Sequence, residues 1–169
     1  MPEQDDQAHE PRAARKPPPG KNSLVPSATG IRRAAMDRLA RREHCRHELE
    51  QKLCRQFPDA TAAIGPVLDQ LEHEGLLSDT RFTASFLRSR AARGQGPLRI
   101  AAELRQHQLA LPLDQCIDWL SRARDARSRR FGDAPPADAV TRAKQMAVLQ
   151  RRGFPLDICR AACLPVRDS

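Results

Sequence analysis

Residues 71–104 read LEHEGLLSDTRFTASFLRSRAARGQGPLRIAAEL, and this stretch decides the fold. Gly75 suits the left-handed stop of a helix that carries Val67, Leu68 and Leu71. Ser78 and Asp79 then offer side-chain oxygens to the free amides of a new helix, in which Phe82, Phe86 and Leu87 recur at helical rather than alternating spacing. Gly94 ends that helix and Gly96-Pro97 begins another, because proline lacks an amide hydrogen that the first helical turn leaves unbonded anyway. Ile100 and Leu104 lie one turn apart on it. Phe82, Phe86, Ile100 and Leu104 are therefore expected in the core, on two helices joined by a short glycine turn.

The same punctuation extends in both directions. Toward the amino terminus the spacing predicts helices over 31–43 (Ile31, Ala35, Leu39) and 45–56 (Leu49, Leu53), with Pro66 opening or kinking a third. Toward the carboxyl terminus Pro112 is expected to open a helix with Leu113, Cys116, Ile117 and Leu120 on one face. After the loop Gly132-Asp133-Ala134-Pro135-Pro136, helices follow over about 137–152 and 155–164. Sliding the chain against itself aligns Arg42, Leu49 and Leu53 with Arg93, Ile100 and Leu104, and with Arg152, Cys159 and Cys163. An arginine ends one helix, a short turn follows, and apolar residues come seven and eleven positions later. One helical unit thus recurs, and the expected fold is all-α, an elongated array of tandem three-helix repeats with the last repeat truncated. The units are expected at 30–77, 78–131 and 132–169, after a Pro-rich tail over 1–29 that lacks apolar periodicity and should be disordered.

Composition agrees with helix packing: aromatics are 4%, tyrosine is absent, and the net charge is +8. Of the 29 basic residues only Lys16, Lys21, Lys52 and Lys144 are lysine. A GC-rich genome accounts for arginine in place of lysine as readily as phosphate recognition does, but it does not account for the net charge. The tail holds four acids and four bases, so the excess charge belongs to residues 30–169. Cys45, Cys54, Cys116, Cys159 and Cys163 form no CxxC and are expected as reduced thiols. With neither a membrane-length apolar stretch nor a secretion signal, a cytoplasmic chain is expected.

No catalytic constellation or cofactor motif is present. Gly94-x-Gly96 lacks the third glycine and preceding strand of a dinucleotide site, and no GxxxxGK[ST] occurs. His44, Cys45 and His47 are neighbours, yet no second pair completes a zinc-site spacing, so no metal is expected. Charge segregation is the informative feature. Residues 59–79 carry five acids and no base, whereas Arg81, Arg88, Arg90, Arg93, Arg99 and Arg105 face Glu103 alone within 81–107. Arg122, Arg124, Arg127, Arg129 and Arg130 follow within 121–131 against Asp125. These eleven arginines are the candidate contacts to a polyanion, since neutralised phosphates release counterions. The bland alternative is a solvated charged face. With few aromatics, base-specific reading of single strands is not expected.

LARREHCRHELEQKL (39–53), the 71–104 stretch and LQRRGFPLDICRAAC (149–163) together resemble the RecX family of bacterial regulatory proteins. The resemblance spans about residues 30–164. It implies tandem three-helix repeats, no enzymatic activity or cofactor, and inhibitory binding to the RecA recombinase filament on single-stranded DNA, with effects on recombination, DNA repair and the SOS response. Double-stranded DNA is a further implied partner, a membrane is not, and the chain is taken as a monomer. An independent helical module acting on naked DNA is the alternative reading of the same charge. Cys45 departs from the resemblance, standing where relatives usually have a capping serine.

Overall fold

The computed structural model describes residues 27–112 and 117–165, and these residues contain no strand. The helices are α1 (Ala28–Leu39), α2 (Arg46–Gln56), α3 (Thr61–His73), α4 (Asp79–Ala92), α5 (Pro97–Gln106), α6 (Trp119–Phe131), α7 (Ala139–Arg151) and α8 (Leu156–Ala162). A short 3-10 turn, Pro58–Ala60, precedes α3. The all-α fold expected from the sequence is the one observed.

Local chemistry sets most helix ends. The side chains of Ser27, Cys45, Ser78, Asp118 and Asp138 each accept a backbone N–H at the start of a helix. At the other ends, Gly75, Gly94 and Gly153 adopt positive φ, and the following amide reaches back five residues, as Leu76 N–H does to the Leu71 carbonyl at 2.9 Å. α5 stops in the same way at Gln108, with φ 61 and Leu109 N–H donating to the Leu104 carbonyl at 3.0 Å, although it has no glycine. Pro66 does not open α3. The helix begins five residues earlier and takes the proline inside it, on an exposed face.

Three apolar clusters follow one another along the chain. α1, α2 and α3 enclose Ile31, Ala35, Leu49, Leu53, Ile64, Leu68 and Leu71. Cys45, Phe82, Leu87, Ile100 and Leu104 form the second cluster, against α4 and α5. The third gathers Ala123, Ala126, Leu149, Phe154, Cys159, Ala162 and Cys163 from α6, α7 and α8. All six apolar residues of the aligned repeat are buried, and burial of each of the four aliphatic ones, Leu49, Leu53, Ile100 and Leu104, is worth about 1.5–3 kcal/mol. The arginines that precede them lie at helix ends, Arg93 and Arg152 as the C-caps of α4 and α7.

Two expectations are corrected here. The helix at 119–131 does not complete the middle unit; it packs on α8 and α7, so the boundary expected at 131/132 falls before α6. The last unit consequently has three helices and is not truncated. Trp119 touches both the second and third clusters. The residues 27–29, expected in the tail, belong to the capped start of α1; the rest of the tail, and Leu113 and Cys116 of the face expected after Pro112, lie outside the described residues, while Ile117 precedes α6.

Polar contacts and backbone join the units. Arg81 Nε donates to Glu43 at 2.9 Å and Arg46 N–H to Asp79 Oδ1 at 2.7 Å, fastening the first unit to the second. Between the second and third, Gly96 N–H donates to the Arg152 carbonyl at 2.7 Å and Leu98 N–H to the Gly153 carbonyl at 3.0 Å.

Candidate nucleic-acid interface

On α4, positions 86, 90 and 93 recur at helical spacing and share a face, whereas 81 and 88 lie on the opposite one. The first face opens into a hollow of about 460 Å³, lined by Phe86, Ser89, Arg90 and Arg93 on one side and by Arg42, Glu43 and Glu48 of the first unit on the other. Arg42 also lines a second hollow, with Asp37, Arg38, Arg41, Lys52 and Gln56. Phe86, Arg90 and His107 line a third, which continues along α5 through Arg99, Ala102, Glu103 and Gln106. Neighbouring hollows share wall residues, so the three adjoin one another across the first two units, and this run of hollows makes up the trough. Seven basic residues line it, Arg38, Arg41, Arg42, Lys52, Arg90, Arg93 and Arg99, against the acids Asp37, Glu43, Glu48 and Glu103.

The acids serve as braces. Glu103 receives Arg90 at 2.7 Å and Arg99 at 3.2 Å, and the Arg90 guanidinium also lies over the Phe86 ring, 4.5 Å from its centroid. Glu48 is paired with Arg42 and, at 2.8 Å, with Lys52. Burial alone would raise its carboxyl, but hydrogen bonds from Arg42 and Lys52 hold it down to about 2. Burial pushes the neighbouring His44 below its ordinary value, against the opposing pull of Glu48. The pairs fix the guanidinium positions while leaving positive charge in excess along the trough.

Only three of the eleven expected arginines, Arg90, Arg93 and Arg99, line this trough. Arg88, Arg105, Arg122 and Arg130 are exposed elsewhere, and Arg81 is committed to Glu43 and the Leu76 carbonyl. Arg129 donates to the Ala92 carbonyl at 3.3 Å across the unit boundary, and Arg124 is half-buried. Arg127 is not a surface contact: it is 7% exposed and donates to the carbonyls of Asp133 and Ala134, each at 2.8 Å, holding the loop before α7. The eleven cations therefore do not make one ridge. Arg38, Arg41, Arg42 and Lys52 were missed because counting charge along the chain cannot join α1 and α2 to α4. The acidic stretch 59–79 is largely answered within the chain. Arg46 takes Asp69 and Glu72, each at 2.6 Å, and Arg32 takes Glu74 at 2.5 Å.

Phe86 was expected in the core, but it is only half-buried and forms part of the trough wall; Phe82, Ile100 and Leu104 are buried as expected.

Comparison with known proteins bears on what such a trough serves. Residues 78–111 match the second three-helix domain of RecX, and residues 117–163 the third, which places the unit boundary before α6 as the packing does. A regulatory protein RecX of Halorhodospira halophila is 49% identical over 142 residues, covering 80% of this chain and 88% of the relative. The chain belongs to the RecX family. RecX proteins of Pseudomonas putida and Pseudomonas fluorescens are each 44% identical, with 81% and 80% of this chain covered and 91% of each relative. These RecX relatives are named for regulation. Among the described residues no helix is long and apolar enough to cross a membrane.

Proposed function

We propose that this chain acts in the cytoplasm as a non-enzymatic inhibitor of the RecA filament on single-stranded DNA, lowering ATP turnover and strand exchange and so restraining recombination, repair and the SOS response. The observation that carries the reading is the trough that spans two units, with guanidinium groups braced at fixed spacing and net positive charge, suited to the phosphates or acidic surface of a nucleoprotein polymer. The identity of the filament comes from what membership of the RecX family implies.

Substoichiometric protein added to RecA on single-stranded DNA should reduce ATP hydrolysis; unchanged turnover at equimolar protein would overturn the proposal. Arg41→Glu combined with Arg93→Glu removes trough charge while sparing the Glu48 and Glu103 braces, so inhibition should weaken in a chain with native helical circular dichroism. The positive charge of the trough also suits naked DNA. That reading gains if the protein binds duplex tightly at physiological salt, with affinity falling by about 10³-fold or more between about 50 and 200 mM salt for six engaged phosphates.

A further inference from the structure

Cys45 and His107 are separated by 62 positions, yet Cys45 Sγ lies 3.7 Å from His107 Nδ1 at the junction of the first and second units. A Glu48 carboxylate oxygen joins them, and the three ligating atoms all fall within 4.8 Å of one another. In a tetrahedral zinc site, with sulfur at about 2.3 Å and imidazole nitrogen at about 2.05 Å, those two donors stand about 3.6 Å apart. The observed sulfur–nitrogen separation of 3.7 Å is close to that value. We propose that Cys45, Glu48 and His107 form a binding site for a divalent transition ion of the zinc type, with its fourth position open to the hollow that Glu48 and His107 line.

Each donor is held in place by the fold. Cys45 is fully buried as the cap of α2, where Sγ accepts Glu48 N–H at 3.4 Å, and this cap sets the cysteine and glutamate three residues apart on one turn. His107 caps the end of α5, its ring edge-on to Phe82 at 5.3 Å and Phe86 at 5.8 Å between centroids. Binding requires the Cys45 thiol to release one proton to solvent as the sulfur–metal bond forms, while neutral His107 supplies the Nδ1 lone pair. No oxidation is involved. Arg42, Lys52 and His44 already hold Glu48, so the ion would take a carboxylate oxygen in exchange for part of those contacts. A bound ion would clamp the two units that form the trough walls.

The test uses the full chain and cobalt(II) as a spectroscopic probe. One equivalent should produce thiolate-to-cobalt charge-transfer absorption with tetrahedral visible bands, removed by added zinc(II). Cys45→Ser keeps a capping oxygen, so the helix start survives, and should abolish the charge-transfer band. His107→Ala should weaken cobalt binding by at least about tenfold, since loss of even an outer-shell partner costs a metal site about 10–100-fold, whereas Cys54→Ser should leave it unchanged. Zinc(II) should raise the melting temperature of the parent chain and not that of Cys45→Ser. Absence of the band in a natively helical chain, or its persistence in Cys45→Ser, overturns the site. Neither result depends on binding to a filament.

Discussion

The backbone of Gly96 lies directly against that of Gly153: a Cβ built on Gly96 would stand 2.4 Å from the Gly153 carbonyl carbon and oxygen, and one built on Gly153 would meet the Arg99 Cβ at 2.4 Å. The turn that starts α5 and the turn that ends α7 are thus pressed together, with two amide hydrogen bonds between them. At Gly96 the φ of −87 is open to any residue, so closeness rather than backbone freedom requires glycine there.

Gly96→Ala should therefore force the second and third units apart, costing at least about 1–3 kcal/mol. Gly75→Ala is the control, because φ is +71 and nothing lies within 4 Å of the added carbon, leaving only backbone strain of about 1–2 kcal/mol. Urea unfolding should rank Gly96→Ala as the more damaging. Equal costs would mean that the turns do not touch.

Gln108 takes a positive φ at the end of α5, where α3, α4, α6 and α7 use glycine. Gln108→Gly should stabilise the chain by about 0.5–1 kcal/mol through relief of side-chain crowding. A rise in thermal midpoint checks this, and a fall would place the residue outside that conformation.

Phe82→Ala should cost about 3–5 kcal/mol, since the ring is 4% exposed in the second cluster. Phe86→Ala should cost less, because its ring is half-buried and part of its contact is the Arg90 guanidinium. The second change should instead reduce filament inhibition, as Arg90 loses the surface that positions it. Unfolding curves and ATP-turnover titrations separate the two effects.

Burial pushes the Cys159 thiol from its ordinary 9.0 up to about 11, and the Cys163 and Asp157 charges act in the same direction. The folded state thus keeps the proton after the unfolded chain has lost it. The resulting stability is complete below about pH 9 and lost as the pH rises through about 11. Urea midpoints should fall across that interval, less steeply in Cys159→Ala. An identical slope in the variant would mean that the thiol is not the group responsible. Tyrosine, which titrates near this range, is absent from the chain.

What the sequence determined is what depends on neighbours along the chain. Capping by Ser78, stopping by Gly75 and Gly94, and the apolar positions seven and eleven after Arg42, Arg93 and Arg152 were legible because a helix is built from contacts three to five residues apart. Tertiary packing decided the rest. It gave α6 to the last unit, turned Arg127 inward to carry a loop, brought Arg42 opposite Arg90 and Arg93, and set His107 beside Cys45. Those pairings depend on how units stack, a relation between distant residues that no local spacing encodes.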